Sequence, residues 1–221
     1  MKATTKHELI SNPKNIICIG LNYADHIAET SLATHDFPEI FMKTTNALAS
    51  NHDTINIEDE SLHYDYEGEL VIVIGKAGKN IPRDKAKEHI LGYTIGNDVS
   101  ARALQIRGSQ WILGKSLDNF APIGPIIVSP DEFDFDNATI TTTVNGEVRQ
   151  QAQLQQMLFK PDAIIEFVSQ YITLQEGDII FTGTPSGVVL GKNESKYSWL
   201  KSGDTVSISI SGIGTLENQF K

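Results

Sequence analysis

Residues 64–74 read Tyr64-Asp65-Tyr66-Glu67-Gly68-Glu69-Leu70-Val71-Ile72-Val73-Ile74. The aliphatic second half, rich in β-branched side chains, has the composition of a buried strand. The first half leads into it with an acid at every second position. Side chains alternate across a strand, so Asp65, Glu67 and Glu69 share one face, with Val71 and Val73 behind them. Carboxylates so spaced repel one another, and near a core the repulsion is poorly screened; the arrangement calls for solvent, a shared proton or a cation. Hard cations such as Mg2+ or Mn2+ take oxygen ligands, and a Glu-x-Glu pair supplies two. Gly68 between the glutamates suits close approach of another group. A solvated strand end satisfies the same pattern without any ion, and a metal reading needs a third acid from elsewhere.

Outward from this stretch, strand-like segments recur at 16–19, 66–74, 93–95, 126–128, 140–144, 179–181 and 206–210, bounded by Gly, Pro, Asn or Asp. Asn145-Gly146 follows the fifth of these and suits a two-residue hairpin turn, because both residue types tolerate positive φ. Helices are fewer. Pro161-Asp162 opens one in which Ile164, Ile165, Val168, Tyr171 and Ile172 recur at helical spacing before Glu176-Gly177-Asp178. A second runs over 83–91 and stops at Gly92, and a third covers 22–32. Strands interrupted by isolated helices, without regular alternation, predict an α+β, mainly β fold with antiparallel or mixed sheets rather than a doubly wound sheet.

The 221 residues carry 28 acidic and 18 basic side chains, a net charge of −10, with no repeat or low-complexity linker. A single domain spanning 1–221 is expected. The acidic balance argues against a binder that tracks nucleic-acid phosphates and favours small-molecule partners. The lone cysteine, Cys18, lies in the apolar run Ile16-Ile17-Cys18-Ile19, which points to a buried thiol in a reducing compartment. No apolar run approaches the ~18 residues of a membrane helix, and Met1 to His7 lack the apolar stretch of a signal peptide, so a cytoplasmic protein is expected.

The candidate third acid is Asp98, in Gly96-Asn97-Asp98-Val99-Ser100-Ala101-Arg102, where a short apolar strand ends. The same aspartate also fits the cap of a helix starting near Val99. On the 22–32 helix, Asn22, His26 and Glu29 fall in one stripe, which sets a titratable imidazole beside a carboxylate and can build a general base. Surface helices carry such pairs too. Gly114-Lys115-Ser116 lacks the upstream glycine spacing of a phosphate loop, and Gly183-Thr184-Pro185-Ser186-Gly187 lacks the spacing of a nucleophile elbow and reads as a tight turn. The acidic run 131–136 reads as a solvated turn.

Taken in order, these segments resemble the fumarylacetoacetate hydrolase family. The likeness rests on Gly20-Leu21-Asn22-Tyr23 with His26 and Glu29, on Tyr66-Glu67-Gly68-Glu69-Leu70, and on Gly96 to Arg102 with Gln105. It continues through Gly114-Lys115-Ser116 with Pro122 and Gly124-Pro125, and through Gly177-Asp178 with Gly183 to Val188. It runs from about Ile16 to the end, and the compact length is like that of the small acylpyruvase and oxaloacetate decarboxylase branch. The resemblance implies a mixed β-sandwich roll of the fumarylacetoacetase C-terminal-domain type, with a few short helices and a helical lid, paired as a homodimer. It assigns Glu67, Glu69 and Asp98 to a Mg2+ or Mn2+ ion and His26 with Glu29 to a water-activating dyad on the lid. Lys115 falls near the metal, and Arg102, Gln105 and Thr184 fall at substrate-contacting positions. Two residues depart from many relatives: Ala103, where Asp is common, and Leu21, where the small branch often has Arg. Both alter the charge near the pocket.

The implied reaction is hydrolysis of a carbon–carbon bond in a small 2,4-dioxo acid of acylpyruvate or fumarylpyruvate type, through a metal-stabilised pyruvate enolate, with His26 taking a proton from water. The same enolate site can decarboxylate or tautomerise oxaloacetate, or serve a 2-hydroxymuconate-type isomerase or decarboxylase of aromatic breakdown. A metabolite-binding protein on the same fold is the alternative without catalysis.

Overall fold

The structure is a computed structural model and describes residues 12–30, 36–191 and 193–221. Its larger sheet has seven strands. β1 (Ile16–Gly20) pairs antiparallel with β2 (Glu39–Lys43) and in parallel with β12 (Ile179–Phe181); the sheet continues through β6 (Gly68–Ile74), β7 (Ile90–Asn97) and β9 (Ala121–Val128) to β3 (Leu48–Ser50). A second sheet orders β11 (Glu147–Gln153), β10 (Thr139–Val144), β13 (Thr205–Ile210), β14 (Gly214–Phe220) and β4 (Thr54–Ile55). A short ribbon pairs β5 (Tyr64–Asp65) with β8 (Ser100–Ala101). The β1–β12, β3–β9 and β14–β4 pairs are parallel and the rest antiparallel, so the sheets are mixed as the sequence predicts. The four α-helices among the described residues are short: α1 (Ala24–Thr30), α2 (Arg102–Gln105), α3 (Ile112–Lys115) and α4 (Pro161–Tyr171). No helix among the described residues is long and apolar enough to cross a membrane.

Burial patterns explain why hydrophobic runs marked some strands better than others. β6 and β12 are buried at every residue and read as unbroken aliphatic stretches. β10 and β13 alternate between buried and half-buried positions, the signature of one face turned to the core. Cys18 is fully buried in β1, consistent with a packing role, and burial pushes its thiol pKa up. Asn145 (φ 51°) and Gly146 (φ 81°) turn the β10–β11 hairpin in the left-handed region.

Three local expectations change. The 64–74 segment is not one strand: pairing passes from β8 to β7 at Tyr66 and Glu67, leaving β5 and β6 as separate pieces. The 83–91 helix is a 3-10 turn over Arg83–His89, because β7 claims the chain from Ile90. Gly92 lies inside that strand, where a Cβ would come 2.4 Å from the Val128 carbonyl oxygen. The first helix starts at Ala24, not Asn22; Leu32 at its expected end, like the chain start through residue 11, lies outside the described residues.

Gly68 marks where the two sheets touch. A Cβ there would lie 2.2 Å from Thr142 Oγ1 on β10 and 3.2 Å from Ile208 Cγ2 on β13. Gly68→Ala is therefore expected to cost about 3 kcal/mol in urea denaturation, the upper range of overpacking. Gly146→Ala has open space around it and meets only the left-handed strain of about 1 kcal/mol. The opposite order of the two midpoints would show that the sheets do not press together at Gly68.

Candidate metal centre and active site

Strand register builds the acidic cluster. The β6–β7 pairing sets Gly68 opposite Asn97 and Glu69 opposite Gly96. Asn97 Oδ1 accepts from the Glu67 amide at 3.0 Å, and the Asp98 amide donates to the Glu67 carbonyl at 2.9 Å. Two adjacent strand ends thus deliver Glu67, Glu69 and Asp98 to one place. One carboxylate oxygen from each lies within 4.8 Å of the other two, and all three side chains are buried. Burial removes the solvated-strand-end reading. The cap reading of Asp98 falls as well: strand β8 follows it, and helix α2 begins only at Arg102, with Ala101 in the cap position.

Asp65 has a different partner. Its Oδ2 accepts from Arg102 Nε at 2.9 Å, and its two oxygens also accept the Val189 and Leu190 amides at 3.0 and 3.1 Å. Arg102 NH2 lies 2.8 Å from both Asp65 Oδ2 and Glu67 Oε1, too poorly angled for a full hydrogen bond to either. Arg102 NH1 donates to Gln105 Oε1 at 2.9 Å, a pairing set by their spacing of three residues on α2. Lys115 Nζ bridges Glu67 Oε2 at 2.7 Å and Asp98 Oδ2 at 2.8 Å. Lys43 Nζ donates to Asp98 Oδ1 and to the Val99 carbonyl, the latter at 3.0 Å.

These pairings divide the acids electrostatically. Burial would raise Glu67, but Lys115 and Arg102 outweigh it and hold its carboxyl at about 2. Burial, then the charges of Asp98 and Glu67, pushes Glu69 well above the usual carboxylate range; its Oε2 accepts the Gly183 amide at 2.6 Å. Four buried acids, Asp65, Glu67, Glu69 and Asp98, face three buried cations, Lys43, Arg102 and Lys115. An all-oxygen donor set with surplus negative charge in a buried site fits a hard divalent cation.

Helix α1 brings a second pair to the same pocket. His26 Nδ1 lies 2.9 Å from Glu29 Oε1, and both residues are buried. The Gly187 amide donates to both Glu29 oxygens at 3.1 and 3.0 Å, and Asn193 Nδ2 donates to Oε2 at 2.7 Å. Asp25 on the same helix accepts from Ser186 Oγ at 2.7 Å. Asn22, expected in the His26 stripe, instead bridges loops: its Nδ2 donates to the Thr182 and Phe159 carbonyls and its Oδ1 accepts the Phe159 amide.

A small pocket, partly open to solvent, is lined by His26, Glu67, Glu69, Arg102, Gln105, Lys115 and Thr184, so seven of the nine expected site residues share it. Glu29 and Asp98 stand behind it through their bonds to His26 and Lys115. Thr184 spends its hydroxyl on structure, donating to the Gly68 carbonyl at 2.9 Å and accepting from Gln150 at 2.8 Å. The apolar part of the lining includes Leu21, Phe41 and Trp111, with Phe41 under the Lys115 ammonium. Of the two departures, Leu21 lines this pocket with a left-handed φ of 56°, and Ala103 does not line it. Gly114 of the discarded phosphate-loop motif serves close packing of α3, since a Cβ there would meet Gln105 N at 2.4 Å.

Sequence reasoning missed Lys43, Gln150, Asn193, Phe41 and Trp111. Lys43 and Asn193 reach their carboxylate partners across 55 and 164 positions, and no local pattern announces them.

The chain is 44% identical over 220 residues to the oxaloacetate tautomerase YisK of Bacillus subtilis, covering 97% of this chain and 72% of that protein. It is 42% identical over 212 residues to the mitochondrial oxaloacetate tautomerase fahd2 of Xenopus laevis, covering 95% of this chain and 66% of the relative. Its fold superposes with a TM-score of 0.84 on a fumarylpyruvate hydrolase from Pseudomonas aeruginosa solved in complex with Mn2+ and pyruvate, at 32% identity over 94% of this chain and 89% of the other. Residues 15–221 match the fumarylacetoacetate (FAA) hydrolase C-terminal family, and the chain belongs to that family.

Proposed function

We propose that this chain is a divalent-metal-dependent enzyme that forms and reprotonates the enol of small 2-oxo acids, with keto–enol tautomerisation of oxaloacetate as its leading reaction. The observation that carries this reading is one pocket lined by an imidazole, an ammonium and two of three clustered carboxylates. The motifs alone favour carbon–carbon hydrolysis; the higher identity to oxaloacetate tautomerases moves tautomerisation ahead of it. Hydrolysis of 2,4-dioxo acids remains the second reading, supported by the fumarylpyruvate hydrolase relative.

Glu67, Glu69 and Asp98 would hold Mg2+ or Mn2+, which when bound supplies positive charge beside an enolate oxygen. Glu29, fixed by Gly187 and Asn193, holds the proton on His26 Nδ1 and leaves Nε2 as the basic nitrogen. His26 then takes the proton from the carbon next to the 2-oxo group and returns it to oxygen; in hydrolysis it takes a proton from water instead. Lys115 donates to the enolate oxygen as charge develops there. Arg102 and Gln105 orient the carboxylate of the substrate, and the Leu21, Phe41 and Trp111 wall keeps the local dielectric low.

The test is a paired assay with Mg2+ or Mn2+: oxaloacetate tautomerisation followed by enol absorbance, and acylpyruvate cleavage followed by loss of the dioxo chromophore. Wild type is expected to accelerate the first; cleavage without tautomerisation would install the second reading, and neither activity would sink both. Glu69→Ala should lose both activities together with Mn2+ binding in calorimetry. His26→Ala should retain Mn2+ affinity and lose about 100-fold or more in kcat, the scale of general acid–base catalysis. Asn193→Ala loosens Glu29 without touching the pocket; about tenfold lower kcat at unchanged KM is expected, a part of that same general-base contribution.

A further inference from the structure

Lys43 closes β2 and takes no part in the proposed reaction. Its side chain is completely buried, yet it does not line the pocket as Lys115 does. Its ammonium reaches Asp98 Oδ1 and the Val99 carbonyl beside it, while Asp98 Oδ2 accepts Lys115 from the pocket side. Each oxygen of Asp98 therefore carries one ammonium, one from the core and one from the cavity. The base of Lys43 is fixed by the β1–β2 register, where it pairs with Ile16. Burial pulls its pKa down, and Asp98 only partly restores it. A buried ion pair contributes little to stability compared with an apolar residue of similar volume, so a lysine here is better accounted for by the geometry it imposes.

We propose that Lys43 is a positioning residue of the metal centre. It pins Asp98 Oδ1 against the Val99 carbonyl, which leaves Oδ2 on the side shared with Glu67 through Lys115, and so sets how tightly the triad holds a divalent ion. Groups that orient ligand carboxylates in this way typically contribute 10- to 100-fold in metal affinity. The inference rests on reading Glu67, Glu69 and Asp98 as an ion site.

Mn2+ titrations of the full chain, read by the electron paramagnetic resonance signal of free Mn2+, test it without recourse to activity. Wild type should bind one Mn2+, and Lys43→Met should bind it about 10- to 100-fold more weakly. Asp98→Asn should also weaken binding, and Lys43→Met added to it should cause no further loss, because Lys43 acts through Asp98. If Lys43→Met fails to fold by near-ultraviolet circular dichroism, Lys43→Gln, neutral and shorter, carries the same comparison. A Lys43 variant that folds and binds Mn2+ within about twofold of wild type, far inside the expected range, overturns the proposal. So does a double variant weaker than Asp98→Asn alone. Wild type that binds no Mn2+ would overturn the ion-site reading itself, and this inference with it.

Discussion

Burying Glu69 is the constraint on which the rest of the site depends. Asp65 is matched by Arg102 and three backbone amides, Glu67 by Arg102 and Lys115, and Asp98 by two lysines. Glu69 has one backbone amide, that of Gly183. Delivering that amide requires Gly183 at a φ of 97°, one residue beyond the Thr182 that follows β12. The chain then follows the start of β6, with Thr182 donating to Leu70 and Thr184 to Gly68, before Gly187 reaches Glu29. One run of six residues thus serves the acidic cluster at one end and the imidazole pair at the other. The two halves of the proposed chemistry are fixed to each other through backbone, which is stiffer than any pairing of side chains.

How much of this was legible follows from the range of each interaction. The alternation of Asp65, Glu67 and Glu69 is local, and it picks out two of the three carboxylates that the fold gathers into one buried cluster. It did not show that Asp65 would turn to Arg102, since that depends on the change of pairing partner between β8 and β7. The Arg83–His89 segment has helical composition, yet the pull of β7 on Ile90 shortens it to a 3-10 turn. β14 escaped notice because its inward positions are Leu216, Asn218 and Phe220. The central asparagine masks the pattern; it is buried because its amide serves the Ser50 and Asp53 carbonyls. Lys43 ends a strand in a sequence where a lysine reads as solvated. The partner that buries it is 55 residues away, beyond any periodicity. Motif order, by contrast, identified the family because it preserves spacing that single-residue physics cannot weigh.

The acidic surplus of the whole chain is a poor guide to the site it contains. Glu67, Glu69 and Asp98 are not bare charges awaiting neutralisation, since three buried cations already stand among them and Asp65, leaving one acid in excess. A small excess suits reversible occupancy by a divalent ion better than a site with three uncompensated carboxylates, whose mutual repulsion the fold would have to contain at all times.

Near balance also couples substrate to the site. Both pocket-lining cations, Lys115 and Arg102, are held by Glu67, so in the proposed reaction an incoming carboxylate or enolate oxygen would share them with it. Lys115 is further held over the Phe41 ring at 5.1 Å, and Phe41 stacks edge-on against Trp111 at 5.3 Å. Trp111 in turn lies where a Cβ on Gly20 would stand, 2.9 Å away. Gly20 thereby admits the indole that braces the phenyl ring beneath the ammonium, and Leu21 leaves β1 in a left-handed conformation at the same point. The apolar wall and the ionic floor meet at Lys115. A change in the wall would therefore alter both the fit of the substrate and the direction in which that ammonium points, which makes the two effects inseparable in this pocket.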